Sequence, residues 1–273
     1  MRETFLSDNV SNVISTSKRK LFIAALAFVI AITIVCAGLM GKSIALVSLG
    51  AIAALISSHV AASKKRDVTS YLRGHEGEML LRDHLHSILD DEYMAFFGVP
   101  IAGAGDIDCV VVGPAGLFCI EAKHHNGTIL YNESGWKQIK VGRGGTAYTG
   151  NLKNPSGQVC KAVITIKDYL IRKDVKTWVN GAIVFTNPAA VLSVEKDLRS
   201  VSATLLSEVS TLFKDTHKLG KGKAALIERY LSEIASPDTA PGRSGIVTGQ
   251  NNQWSTGKTA TVRGIREKRV CQM

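Results

Sequence analysis

Three absences narrow what this sequence encodes. The chain has five cysteines but no CxxC pair and no spacing typical of a zinc site. Its glycine-rich stretch at 142–150 lacks the Walker A pattern, so we expect a mobile loop there and not a nucleotide cradle. Two stretches near the N-terminus contain no charged residue at all. Zinc fingers and P-loop enzymes are therefore disfavoured, and the uncharged stretches need an explanation.

The uncharged stretches are residues 21–41 and 43–63, which Lys42 separates. Each has 21 residues, and at 1.5 Å per residue such a helix spans about 31 Å, close to the roughly 30 Å hydrocarbon core of a bilayer. The first stretch is too long for a signal peptide and has no small-residue cleavage site. We predict two transmembrane helices joined as a tight hairpin, with buried core helices as the alternative.

Basic residues flank both outer ends of this pair, at 18–20 and 64–66. The positive-inside rule then places both ends in the cytoplasm, which predicts a multi-pass protein of the inner or plasma membrane with residues 1–20 as a cytoplasmic segment. Two spans without an intramembrane charge argue against a transporter. Small residues along the second span, including Gly50, would allow close helix packing. A homo-oligomer is among the partners we expect.

The net charge of +10 is unevenly distributed. Residues 1–66 carry net +6, residues 67–235 are neutral, and residues 236–273 carry net +4. The global charge is therefore poor evidence for a DNA-binding surface. Within the neutral part, however, residues 67–136 carry net −8 and residues 137–176 net +7. An acidic half that suits a metal ion lies beside a basic segment that suits phosphates.

The stretch around residues 105–123 predicts a β-hairpin. Two β-rich runs, 107–112 and 117–120, flank Gly-Pro-Ala-Gly at 113–116. Pro at the second position and Gly at the fourth suit a type I turn. A loop of this length pairs Val112 with Leu117. Cys109 and Cys119 then lie on opposite faces, so we expect small buried thiols and no disulfide.

This register places Asp108 opposite Glu121 and Asp106 opposite Lys123, all on one face. Facing carboxylates repel, and a divalent cation with a neighbouring ammonium would compensate them. Mg²⁺, or Mn²⁺, takes carboxylate oxygens together with water and phosphate. Two alternatives stay open: an exposed hairpin end with ordinary surface ion pairs, and a bulge at Gly116 that shifts the register by one.

Two predicted helices carry further polar candidates. In a helix over 76–89, Glu78 lies on the same side as an apolar stripe that includes Leu81 and Leu85, and a core-facing carboxylate needs a partner or a metal. Its alternative is a first-turn acid favoured by the helix dipole. A second helix begins at Asn154 and Pro155 and runs to about residue 172. Gln158 lies in its first turn, either solvated or beside the site.

Four motifs in order resemble the nuclease-related domain family of restriction-endonuclease-like PD-(D/E)xK nucleases: Gly-His-Glu-Gly-Glu at 74–78, the hairpin at 107–116, Ile-Glu-Ala-Lys at 120–123 and Asn-Pro-Ser-Gly-Gln at 154–158. Cys109 and the His-His-Asn at 124–126 depart from the family pattern. Adjacent histidines point in opposite directions on a strand, so they are poor joint metal ligands, although one would be able to contact substrate.

The resemblance implies an α/β fold, a restriction-endonuclease-like mixed sheet flanked by helices, preceded here by the transmembrane hairpin. It also implies a nuclease acting on DNA or RNA. Its predicted catalytic residues are Glu78, Asp108, Glu121, Lys123 and Gln158, of which Asp108, Glu121 and Glu78 would bind the metal. Basic side chains that would hold the substrate are Lys137, Lys140, Arg143 and Lys161.

The predicted domain order is therefore residues 1–20, the two spans within 21–63, a connector at 67–73 that opens a nuclease-related domain at 67–235, and a basic tail at 236–273. The tail is rich in Pro, Gly, Ser, Thr, Asn and Gln, which predicts disorder. The competing hypothesis is a non-catalytic, membrane-tethered module that binds nucleic acid or protein on a nuclease-like fold.

Overall fold

The computed structural model describes residues 1–5, 9–101, 105–150, 152–198, 200–214 and 216–234. The predicted tail at 236–273 lies outside these residues. The chain forms two compact units. One covers residues 8–76, and the other joins residues 1–7 to the chain from residue 77 onward.

Helices and strands alternate in a mixed α/β order. The helices are α1 (Asn9–Met40), α2 (Ile44–Ile88), α3 (Pro155–Arg172), a 3₁₀ helix (Leu206–Phe213) and α4 (Lys221–Glu233). The strands are β1 (Arg2–Phe5), β2 (Met94–Ile101), β3 (Gly105–Gly113), β4 (Gly116–Lys123), β5 (Gly127–Asn132), β6 (Gly135–Val141), β7 (Ala147–Gly150), β8 (Asn180–Phe185), β9 (Ala190–Val194) and β10 (Val201–Leu205).

A six-stranded sheet in the order β1-β2-β3-β4-β8-β10 forms the centre of the second unit, and β7-β6-β5-β9 form a smaller sheet. β2, β3 and β4 are antiparallel, whereas β8 and β10 continue the sheet parallel to β4. Val112 pairs with Leu117, so the predicted hairpin register is confirmed. The predicted fold class, a mixed sheet flanked by helices, is confirmed as well.

Each face of the large sheet has its own core. Ile166 and Leu170 of α3 pack on one face together with Ile227 of α4. Leu81 and Leu85 of α2 pack on the other face with the 3₁₀ helix. The apolar stripes predicted for α2 and α3 are therefore the buried faces of these helices. Cys109 and Cys119 are free, buried and on opposite faces, as predicted.

The first unit contains the apolar helices. Segments Ser15–Met40 and Ile44–Ile88 are long and apolar enough to cross a membrane, with a mean hydropathy of 2.8 and 2.0 in their most apolar windows. The expected close packing is present, since a Cβ added to Gly50 would stand 2.9 Å from the carbonyl oxygen of Ala31. Length and composition fit two membrane spans.

The N-terminus contains a strand that was not predicted from the sequence. β1 pairs in parallel with β2, which makes it an edge strand of the large sheet. Phe5 stacks on Phe97 with ring centroids 5.4 Å apart, and the Glu3 carboxylate accepts two hydrogen bonds from Arg82 at 2.6 and 2.8 Å. Four residues are too few to show a periodicity, and their partners lie about 80 to 90 positions away.

Other boundaries also differ. The connector predicted at 67–73 is helical, because α2 continues without a proline from residue 44 to residue 88. The loop predicted at 142–150 contains β7, which pairs with β6. β9 was not predicted, and the segment Leu206–Phe213 is a 3₁₀ helix.

Candidate metal-binding site at the open end of the hairpin

Asp108 lies where the β3–β4 ladder stops. The last described pair is Cys109 with Ile120. One step further, the backbone N–H of Ala122 donates to Asp108 Oδ2 at 2.8 Å instead of to a strand carbonyl. On the other neighbour, Gly98 falls between the pairs that flank Asp108 and has a φ of +63°, so β2 bends there. The carboxylate thus sits at a local break in a regular sheet.

Glu121 and Lys123 follow on β4. They are two residues apart, so they share a face, and Lys123 Nζ donates to Glu121 Oε1 at 2.5 Å. Glu121 is only 8% exposed, and the neighbouring Asp108 is partly buried. A buried carboxylate is tolerated when it is paired and hydrogen-bonded, and Lys123 provides that pairing.

The electrostatic environment of Asp108 is unfavourable to its charge. Burial raises the pKa of Asp108 well above its ordinary value, and the charges of Glu121 and then Glu78 raise it further. Lys123 and the N–H of Ala122 oppose this rise. When all four side chains are ionised, three carboxylates face one ammonium, which leaves two negative charges. That excess equals the charge of one divalent cation.

The donor set fits a hard cation. Asp108 and Glu121 offer carboxylate oxygens, and Mg²⁺ is usually held by one or two carboxylates that leave room for water and phosphate. Among the described residues, no group of three or more His, Cys, Asp or Glu side chains forms a ready-made metal cage. Two carboxylates leave the other positions around such a cation to water or phosphate. Whether Glu78 is a direct ligand stays a prediction.

Gly77 explains how Glu78 reaches this region. A Cβ added to Gly77 would stand 2.8 Å from the Cβ of His124 and 2.8 Å from Thr186 Oγ1. Real Cβ atoms do not approach so closely, so only glycine allows α2 to pack against the ends of β4 and β8 here. Glu78 is the next residue, and its charge is close enough to raise the pKa of Asp108.

The two adjacent histidines have different roles. His124 Nδ1 lies 3.1 Å from Thr186 Oγ1, and its Nε2 lies 3.0 Å from Asn187 Nδ2. Asn187 Oδ1 accepts the N–H of Ala189, so its amide donates to Nε2 and the proton of His124 sits on Nδ1. His124 thus joins the end of β4 to the end of β8. Sequence reasoning missed this, because its partners lie about 60 residues away.

His125 is partly buried and feels the charges of two lysines. Burial, and to a smaller extent the charges of Lys123, Lys140 and His124, lowers the pKa of His125 to about 4. The imidazole is therefore neutral at physiological pH. β6 of the smaller sheet approaches the segment after Lys123, since Gln138 Nε2 donates to the carbonyl of Asn126 at 2.7 Å.

Residues 73–186 match the profile of the nuclease-related domain family. This chain carries a nuclease-related domain. No curated protein and no solved structure matches the chain. The matched segment contains Glu78, Asp108, Glu121 and Lys123 and ends at Thr186, the partner of His124.

The next predicted site residues of the nuclease-related domain lie on α3 and on β6. Gln158 is exposed in the first turn of α3, where Asn154 Oδ1 caps the helix by accepting the N–H of Gly157 at 3.1 Å. Lys140 and Lys137 lie three residues apart on β6 and so point to opposite faces. Of the two, the charge of Lys140 acts on His125, two residues after Lys123.

The two remaining basic candidates are at the surface. Arg143 is exposed in the turn between β6 and β7, and Lys161 is exposed on α3, one turn after Gln158. No contact among the described residues joins these two side chains to the carboxylates. Their contact with substrate stays a prediction.

Proposed function

We propose that this chain is a membrane-anchored, divalent-metal-dependent nuclease that hydrolyses phosphodiester bonds of DNA or RNA on the cytoplasmic side. The observation that carries the proposal is the cluster of Asp108, Glu121 and Lys123 at the break in the β3–β4 ladder. It combines an unfavourable negative charge with a positioned ammonium, inside a nuclease-related domain.

Each residue has a distinct task in this proposal. Asp108 and Glu121 hold Mg²⁺ or Mn²⁺, with Glu78 completing the negative surroundings. The bound cation supplies charge neutralisation and lowers the pKa of a water. Lys123 stabilises the charge that develops on the phosphate. Gln158 orients water or phosphate from the start of α3. The neutral His125 and the ammonium of Lys140 lie beside Lys123, where a phosphate chain would pass.

The membrane part of the proposal rests on topology. β1 belongs to the large sheet, and the chain returns to that sheet after α2. The helical pair is thus an insertion into the domain, so both of its outer ends lie on the same side of a membrane. The basic flanks at 18–20 and 64–66 favour the cytoplasmic side for these ends.

The test uses the full chain purified in detergent. It is incubated with single- and double-stranded DNA and RNA, in Mg²⁺, Mn²⁺ or EDTA. We expect metal-dependent cleavage that Asp108→Asn, Glu121→Gln and Lys123→Met each reduce by about 10²-fold or more, as for loss of a group that stabilises transition-state charge. Asp168→Asn, an exposed carboxylate on α3, is the matched control and should cleave normally.

The absence of a three-ligand cage among the described residues favours one competitor, a non-catalytic tethered module. Nucleic acid binding that is equal in EDTA and in Glu121→Gln, without cleavage under any condition, would establish that competitor. Cleavage that persists in Asp108→Asn would reject the catalytic roles assigned here.

A further inference from the structure

A polar cleft lies at the opposite end of the hairpin from the carboxylates. It has a volume of about 460 Å³ and is formed where β8 and β10 begin and the 3₁₀ helix ends. The side chains used below are Trp178, Asn180, Thr204, Glu208, Lys214 and His217. The hairpin turn lies next to this cleft, since a Cβ added to Gly116 would stand 2.9 Å from the carbonyl oxygen of His217.

Trp178 is a fixed aromatic surface in this cleft. Its indole is 49% exposed, which is unusual for so large an apolar side chain. Nevertheless Nε1 donates to Asn180 Oδ1 at 3.0 Å, and Asn180 Nδ2 donates to the carbonyl of Leu117 at 3.1 Å. The amide is thereby anchored to β4 and orients the indole. His217 lies beside it, with ring centroids 4.8 Å apart.

The rim of the cleft supplies charges of both signs. Lys214 provides an ammonium, and the chain that continues from it carries three more lysines, Lys218, Lys221 and Lys223. Lys221 is paired with Glu92, and Lys223 donates to the carbonyl of Lys176. Glu208 provides an exposed carboxylate, and Thr204 a hydroxyl. An aromatic face, an ammonium and a hydrogen-bond acceptor therefore meet in one polar cleft.

We propose that this cleft binds one nucleotide unit of single-stranded nucleic acid. The base stacks on Trp178 beside His217, the phosphate binds Lys214, and the base amine or sugar hydroxyls donate to Glu208. Aromatic stacking combined with lysine contacts is how single strands are bound without sequence preference. Free mononucleotides have the same chemistry and are the other source of such a ligand.

The cleft is separate from the proposed metal site. Glu121 is five residues beyond Gly116 along β4, which corresponds to about 17 Å at 3.4 Å per residue. One nucleotide cannot contact both places. This inference therefore does not need the chain to cleave anything, and the two proposals fail in different experiments.

The experiment measures binding without catalysis. The full chain in detergent, carrying Asp108→Asn and kept in EDTA, is titrated against fluorescein-labelled single-stranded hexanucleotides, a matched duplex and AMP, with anisotropy and competition as readouts. We expect the single strand to bind more tightly than the duplex. Trp178→Ala should weaken single-strand binding roughly 5- to 150-fold, the range for loss of one stacked base. Lys214→Ala should reduce its salt dependence.

Matched variants make the result decisive. Trp178→Phe keeps an aromatic face and should bind within about threefold of the parent, whereas Tyr71→Ala removes an exposed aromatic outside the cleft and should change nothing. If Trp178→Ala does not fold, His217→Ala and Lys214→Glu test the same cleft. Competition by AMP alone, with no preference for the hexanucleotide, would identify a mononucleotide site instead. Unchanged affinity in Trp178→Ala and Lys214→Glu, or no binding at all, would overturn the proposal.

Discussion

The two ends of the β3–β4 hairpin are built in opposite ways. At the turn end the strand pairing continues to Gly113 and Gly116, and nearby carbonyls are satisfied by neighbouring segments. The carbonyl of Pro114 accepts the N–H of Leu219 at 3.1 Å, and that of Leu117 accepts the side chain of Asn180. These carbonyls are thus paired with neighbouring segments, which favours stability.

At the open end the pairing of β3 with β4 stops early, and charged side chains lie close together. The carboxylate of Asp108, and not a backbone carbonyl, accepts the N–H of Ala122. Glu121 is buried against Lys123. Burial and the neighbouring carboxylates raise the pKa of Asp108, so the folded state is destabilised by that charge. Proteins keep such arrangements where function needs them. One hairpin therefore combines an end that stabilises the fold with an end whose charges destabilise it. Each end can be tested separately.

Gly77→Ala is expected to impair stability and cleavage together. The new methyl group would meet His124 and Thr186 at 2.8 Å and push α2 away from the open end. We expect a loss of about 1–3 kcal/mol in the free energy of unfolding and a loss of cleavage at least tenfold beyond the loss of folded protein, because Glu78 moves. Denaturant unfolding and cleavage rates measure the two effects.

Gly74→Ala is the control on the same helix. A Cβ at Gly74 meets nothing within 4 Å, so alanine should leave cleavage unchanged and add up to about 1 kcal/mol of helix stability. Equal behaviour of the two variants would show that α2 does not approach His124 as described.

Gly116→Ala should destabilise the turn end of the hairpin without affecting the open end. Gly116 has a φ of +136°, which side chains with a Cβ rarely adopt, and the added methyl would lie 2.9 Å from the carbonyl oxygen of His217. We expect a loss of about 1–3 kcal/mol in unfolding free energy with cleavage per folded molecule unchanged. Gly220→Ala, which meets nothing, is the control. A cleavage defect in Gly116→Ala would mean that the two ends are coupled.

Asp108→Asn should stabilise the protein while it abolishes cleavage. The raised pKa means that the folded state holds the proton more tightly than the unfolded chain does. Stability from this group is therefore highest at acidic pH and falls as the pH rises above the ordinary value of 3.8. In EDTA, the melting temperature of the variant should exceed that of the parent by roughly 2–4 °C at pH 7, about 1 kcal/mol.

The difference in melting temperature between Asp108→Asn and the parent should shrink as the pH approaches 4. Mg²⁺ should then raise the melting temperature of the parent but not of the variant, because only the parent retains the cation site. A parent that is more stable than Asp108→Asn at pH 7 without metal would contradict the account of the open end.

The hairpin and its register could be predicted from sequence because their determinants are local. Gly-Pro-Ala-Gly at 113–116 fixes the turn, and alternation then assigns Asp108, Glu121 and Lys123 to their places. The same holds for the start of α3, where Asn154 and its capping hydrogen bond follow from residue types alone. Local rules of this kind do not depend on distant segments.

What could not be predicted depends on partners far along the chain. β1 has four residues and becomes a strand only because the edge of β2 is available to pair with it. The contact of Gly77 with His124 and Thr186 requires α2, β4 and β8 to meet. β4 also pairs along most of its length with β8, a strand some 60 residues later. The periodicity of a short stretch of sequence does not indicate contacts with segments so far along the chain.

The smallest expected effect concerns His125 at the open end. Because its pKa is lowered to about 4, the unfolded chain gains a proton below the ordinary value of 6.5 while the folded state stays neutral. Stability should therefore fall as the pH drops from 6.5 toward 4, and His125→Gln should lose this part of the dependence. Lys140→Ala should move the imidazole pKa upward, measured by NMR, since one nearby positive charge is gone. If the imidazole of His125 titrates near 6.5 in the folded parent, then it is neither buried nor close to the charges of Lys123 and Lys140, which would contradict this account of the open end.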